Sequence, residues 1–200
     1  MDTFDAVAAR RSIHKFDPAH VMPEEDITRL LEAAILSPTS FNIQNWRFVA
    51  VTDATVKAEI RRAGWNQPQF SECSMLLIIC GDRNAYRQDP ERYCALVPSP
   101  ARERIVKSIL AVYGSSEGLR RDENLRSGGI AAQTVMLTAK AMGYDTCPMI
   151  GFDPVEVARI IRLPADHDIV VAVAVGKALE PARARPGQLP LPDVVRRDHF

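Results

Sequence analysis

Six consecutive apolar residues, Met75 to Cys80, constrain this chain more than any other feature in it. The run is too short to cross a bilayer, which takes about 20 helical residues. It is also too uniform for a strand with one wet face, because side chains alternate between the two faces of a sheet and here both sets are apolar. The strand must be covered on both sides.

The cover is visible around it. Phe4, Val7 and Ala8 recur at helical spacing over Thr3–Arg11. Pro23-Glu24-Glu25-Asp26 opens a second helix with Ile27, Leu30, Leu31, Ala34 and Ile35 on one face, and acids in its first turn suit the helix dipole. Ser37-Pro38 ends it, since a residue before proline is pushed out of the helical region. Trp46–Thr52 reads as a strand, Thr55–Ala63 as a short helix stopped by Gly64, and residues 82–100 as an irregular excursion. Helices are expected over Arg102–Tyr113, Glu123–Met142 (stopped by Gly143) and Pro154–Ile161, with a further core strand over Ile169–Val175. Strands that come singly between helices argue for an α+β fold, a central mixed sheet flanked by helices. Residues 1–200 are read as one domain, in which the proline- and arginine-rich stretch 181–200 is an extended tail whose Leu189, Leu191 and Val194 suit packing on a neighbouring subunit.

Composition narrows the function. Lys plus Arg and Asp plus Glu number 25 each, so no global field favours nucleic acid or an anionic membrane, and any anion must be held by a local cluster. The four cysteines show no metal-ligand or disulfide spacing, and the first residues lack a basic-then-apolar leader; the expectation is a cytoplasmic protein with no metal.

Two segments carry chemistry. Arg10-Arg11-Ser12-Ile13-His14-Lys15-Phe16 follows directly on a helix, and two guanidiniums, a hydroxyl and an imidazole so close together can converge on a phosphate; equally, cations at a helix end can simply complement its dipole. Ser37-Pro38-Thr39-Ser40-Phe41-Asn42-Ile43-Gln44-Asn45-Trp46 is a polar loop feeding a strand, either an ordinary turn or a set of amides and hydroxyls presented to a heterocycle.

In this order and separation the two strings resemble the start of the nitroreductase superfamily, whose members use FMN. The resemblance continues through Trp65-Asn66-Gln67-Pro68-Gln69, through Gly143-Tyr144-Asp145-Thr146-Cys147-Pro148-Met149-Ile150-Gly151-Phe152-Asp153-Pro154, and through Val175-Gly176-Lys177. It implies a homodimer with FMN at the subunit interface and NAD(P)H as electron donor. It implies a ping-pong transfer of hydride through flavin N5 to a small acceptor: a nitroaromatic, a quinone or an activated alkene. No catalytic acid–base side chain is implied, because the cofactor carries the chemistry.

By the same resemblance Arg10, Arg11, Ser12 and His14 grip the phosphate and ribityl chain, with His14 standing where relatives carry Arg or Lys. Asn66 and Gln69 face the polar edge of the ring, and Pro148, Met149, Ile150 and Gly151 run beside it with the Ile150 amide toward N5. Pro38, Thr39, Ser40, Asn42 and Gln44 reach the site of the partner subunit. Arg183 and Arg185 of the tail either touch the phosphate or merely solubilise the tail. Phe41, Trp65 and Phe70 are expected to shape the acceptor pocket.

A flavin-binding sensor or store without turnover is the alternative. Gly128-Gly129 lacks the strand and spacing of a nucleotide fingerprint and is read as a packing device. His20, His167 and His199 are read as surface residues, and Cys147 as an inert thiol.

Overall fold

The computed structural model describes residues 1–200. Eight helices surround four strands: α1 (Thr3–Ala9), α2 (Glu24–Ala34), β1 (Trp46–Val51), α3 (Ala54–Ala63), α4 (Gln69–Glu72), β2 (Met75–Asp82), α5 (Ala101–Gly114), α6 (Glu117–Ala141), β3 (Asp145–Met149), α7 (Pro154–Ile160), β4 (His167–Gly176) and α8 (Leu191–Val194). No helix is long and apolar enough to cross a membrane.

The strands lie in the order β1-β2-β4-β3, and every pairing is antiparallel. This corrects the expected mixed sheet: the one parallel pairing is an isolated bridge between Ser12 and Thr146. β2 is buried along its whole length. Its alternation divides the core in two. Leu76, Ile78 and Cys80 join Ala172 and Ala174 of β4 and Cys147 and Met149 of β3 on one face, closed by Ile60 of α3, Phe70 of α4 and Val157 of α7. Met75, Leu77 and Ile79 join Val173 and Val175 on the other, closed by Leu30 and Ala34 of α2 and Ala132, Val135, Met136 and Ala139 of α6. Each fully buried aliphatic side chain contributes about 1.5–3 kcal/mol, so this one strand organises much of the stabilisation.

β3 went unread in the sequence because Pro148 sits inside it. A proline that cannot donate to a ladder is tolerated on an edge strand, and β4 is the one strand that β3 pairs with, its other side carrying just the isolated Ser12 bridge. α6 begins at Glu117, earlier than the apolar spacing indicated, because Ser116 caps it by accepting from the Leu119 amide. The tail is exposed from Pro181 onward and carries one helical turn, α8, where an extended chain was expected.

Gly128 and Gly129 are not equivalent. A Cβ at Gly128 would come within 2.8 Å of both Val170 methyls, whereas one at Gly129 meets nothing within 4 Å. Gly128 is therefore what lets α6 lie on β4. Gly128→Ala is expected to cost about 1–3 kcal/mol through overpacking, while Gly129→Ala gains up to about 1 kcal/mol of helix propensity; urea denaturation of the two variants checks the contrast.

Candidate functional site

Immediately after α1 the chain turns extended and is stitched to the sheet. The Ile13 amide donates to Thr146 O at 3.0 Å, and Phe16 forms a bridge with Ala178. Ile13 and Phe16 are buried, so Ser12 and His14, between and beside them, point the other way and stay exposed. The tail crosses this surface. Arg185 Nη2 donates to Val7 O at 3.2 Å and Arg10 O at 3.3 Å, carbonyls at the C-terminal end of α1. Arg10, Arg11, Ser12, His14, Arg183 and Arg185 thereby line one cavity of about 350 Å³. No carboxylate lines it, and the nearby Glu180 is held by Lys15 at 2.7 Å. Four guanidiniums without a counter-charge form a site for an anion. Arg11 rests its Nη1 on the Ala8 and Arg10 carbonyls, donors a stronger acceptor would draw away.

Gln69 lies beneath the imidazole of His14, with its Nε2 3.2 Å from Nδ1. The residue is buried and its Oε1 has no partner, as has the buried Oγ1 of Thr146. An orphaned buried acceptor costs about 1–3 kcal/mol unless a ligand or water supplies the missing donor. Two further segments complete this face. Trp65 and Asn66 both adopt left-handed backbone, φ 54° and 60°. They are held there by Arg61, whose carbonyl accepts from the Asn66 amide at 2.9 Å and whose Nε donates to Asn66 O at 3.3 Å. Pro148 to Gly151 runs out of β3, where Met149 is buried and Ile150 is exposed. The Ile150 carbonyl accepts from the Phe152 amide at 3.1 Å, but its own N–H donates to nothing.

The loop Pro38–Gln44 is elsewhere. Thr39 Oγ1 accepts from the Gln44 amide at 2.9 Å, Asn42 Nδ2 donates to Tyr93 O at 2.9 Å, and the Ser40 amide approaches Glu123 Oε1 at 3.4 Å. Phe41, Asn42 and Gln44 have φ of 52°, 56° and 44°. None of these residues lines the basic cavity within one protomer. Of the eight non-glycine residues with positive φ, five lie in this loop and in the Trp65–Asn66 turn, the kind of clustering of backbone strain that accompanies binding sites.

Among the aromatic residues, Trp65 and Phe41 are exposed and available to a ligand, but Phe70 is not. It is fully buried, meets Phe152 edge-on at 6.1 Å and fills the space a Cβ on Gly64 would need. Phe70 is a floor beneath the site rather than a wall of it, because its neighbours Pro68 and Gln69 form a helical turn that points it into the sheet.

His167 also differs from its reading as a surface residue. Its Nδ1 is 2.8 Å from Asp166 and its Nε2 4.0 Å from Asp82, while the Asp82 oxygens accept from Arg47 Nη2 and the Asn84 amide, each at 2.8 Å. Gln67 donates to both Gly64 O (3.1 Å) and Gly151 O (2.8 Å), a bridge that no signal in Trp65-Asn66-Gln67-Pro68-Gln69 marks in the sequence.

The class defined so far is an α+β protein with an arginine-lined cavity beside one edge of an antiparallel sheet. A model of the nitroreductase family matches residues 7–177, and the chain belongs to that family. It is similar to Protein DrgA of Synechocystis sp., with 46% identity over 96% of this chain and 93% of that one. It is 32% identical to a proposed NAD(P)H nitroreductase, MhqN, of Bacillus subtilis, over 86% of each. A proposed nitroreductase of Exiguobacterium sibiricum, solved in complex with FMN, superposes with a TM-score of 0.89 at 30% identity, covering 98% of this chain and 97% of that one.

All four cysteines are free and buried. Burial pushes the Cys147 thiol up to about 11 and those of Cys73 and Cys80 up to about 12. Since the thiolate is the nucleophile, Cys73, Cys80 and Cys147 are expected to resist iodoacetamide at pH 8 in the native protein and to react only once the chain is unfolded, which mass spectrometry of the alkylated chain reads directly.

Proposed function

We propose that this protein is a homodimeric, FMN-dependent oxidoreductase that takes electrons from NAD(P)H and delivers them to a small acceptor, a nitroaromatic, a quinone or an activated alkene. The observation that carries the proposal is the carboxylate-free cavity of Arg10, Arg11, Ser12, His14, Arg183 and Arg185, adjoining the buried Gln69 with its unpartnered Oε1. A dianionic phosphate suits the first, and an N–H of a heterocycle suits the second. The FMN bound by the Exiguobacterium relative and the NAD(P)H in the name of the Bacillus relative agree with this reading.

The residues present fit FMN. Arg10, Arg11, Ser12 and His14 would hold its phosphate and ribityl chain; Asn66 and Gln69 would meet the polar edge of the ring; Pro148, Met149, Ile150 and Gly151 would lie beside it. Bound FMN would supply a two-electron carrier at N5. The protein's own work is to orient donor and acceptor in turn, to exclude water, and to offer the free Ile150 N–H where negative charge grows on reduction. If donor and acceptor use one space beside the exposed Trp65 in turn, the order of reaction is ping-pong. No side-chain acid or base is needed for hydride transfer.

Dimerisation would bring the loop of Pro38, Thr39, Ser40, Asn42 and Gln44, with Phe41, to the site of the partner protomer, and the tail 181–200 would pack across the same junction. Leu110 and Val112 of α5, Leu125 and Ile130 of α6, and Leu189, Leu191 and Val194 of the tail are exposed apolar side chains in the isolated protomer, which supports a partner covering them.

Arg11→Ala removes charge-assisted phosphate contacts and should weaken FMN binding by about 1.5–3 kcal/mol. Arg185→Ala is expected to weaken it as well, since Arg185 lines the same cavity and, like Arg11, keeps donors beyond the one nitrogen that serves the α1 carbonyls. Fluorescence-quenching titration of FMN into the apoprotein measures both; an Arg11→Ala affinity equal to wild type refutes the phosphate assignment.

A further inference from the structure

Resting on the FMN reading above, we infer that Gln67 is a positioning residue that sets the Ile150 amide against the flavin ring and so tunes its reduction. The segments carrying Asn66 and Ile150 are far apart in sequence and belong to different elements, the end of α3 and the end of β3. Gln67 joins them with one amide nitrogen, which donates to Gly64 O at 3.1 Å and to Gly151 O at 2.8 Å. Its own backbone N–H donates to the same Gly64 carbonyl at 3.2 Å, so the side chain springs from a fixed point.

The bridge is close-fitting. A Cβ on Gly151 would lie 3.2 Å from Gln67 Nε2 and 3.3 Å from Trp65 Cζ3, close enough to push the bridge by a few tenths of an ångström. Below it, the Asp153 amide donates to Ala63 O at 2.9 Å, and Phe152 meets the Phe70 ring. These lower ties anchor the base of the loop. Gln67 is the side chain that hydrogen-bonds Gly151, the residue that follows the free Ile150 N–H.

The consequence is chemical rather than structural. An N–H donor placed toward the ring gains strength as the ring gains electron density, so its distance decides how far the reduced form is favoured. Losing the Gln67 bridge leaves the loop anchored at Asp153 but lets the Ile150 amide drift.

Gln67→Met keeps the length and removes the donor. The expected result is an FMN-loaded protein whose flavin midpoint potential is more negative than wild type and whose anaerobic reduction by NADH is slower by roughly ten- to a hundredfold, the scale on which a small misplacement acts. Its thermal midpoint should fall only slightly, since Ala63, Phe70 and Phe152 are untouched. Gly151→Ala, which presses a methyl onto Gln67 Nε2, should move the potential the same way and supplies the reading if the first variant folds poorly. Unchanged potential and reduction rate in both variants, with wild type bound to FMN, overturn the inference and leave the FMN reading standing. A wild-type protein that takes up no FMN overturns both.

Discussion

The structure depends on hiding both faces of β2. A strand with apolar side chains on each side cannot rest at the surface, so the sheet takes cover from α2 and α6 on one face and from α3, α4 and α7 on the other. That demand places the site. Once α3 and α4 are packed over Leu76 and Ile78, the turn between them, with Trp65 and Asn66, is forced out at the margin of the sheet. Once β4 pairs β2 and β3 pairs β4, the end of β3 delivers Pro148 to Gly151 to the same margin. The stretch from Arg10 to Phe16 is pinned there too, through Ile13 on Thr146 and Phe16 on Ala178. Three segments distant in sequence meet because one strand had to be buried.

The charge of the site follows a different logic. The chain is neutral overall, yet four arginines gather around one cavity, two from the end of α1 and two from the tail. Arg185 ties the tail to α1: it donates to the carbonyls at the end of that helix, an interaction favoured at a helix C-terminus. The alternatives left open by the sequence for this cluster, helix-end complement or phosphate grip, are therefore not exclusive. Arg11 and Arg185 do the first in this structure, and the geometry leaves Arg10 and Arg183 facing the cavity with them.

How much of this was readable in the sequence depended on whether a residue's role was local. The buried strand, most of the helices around it and the arginine cluster follow from periodicity and residue type, whereas α4 is too short to show a period and α6 starts at Glu117 rather than Glu123. β3 was hidden because Pro148 argues against a strand unless the chain is known to run along a sheet edge. Phe70 looked like a pocket aromatic and proved to be a buried floor, since only the tertiary turn of α4 decides which way it points. His167 gained Asp82 as a neighbour from the register of β2 on β4, in addition to Asp166 just before it in the chain. Gln67 gained its role from an 84-residue contact that no spacing announces. Of the Gly128-Gly129 pair read as a packing device, Gly128 is one, against Val170, and Gly129 is not, a difference set by which face of α6 each occupies.

The most direct test of the account is the absorbance spectrum of the purified protein, loaded with FMN if necessary, before and after anaerobic addition of NADH and then of NADPH. The account predicts the bands of oxidised flavin, bleached by at least one of the two donors and restored when a quinone or nitroaromatic is added. Bands that neither donor bleaches would contradict the oxidoreductase reading in favour of a flavin sensor or store, and no bands after FMN addition would contradict the flavin site itself.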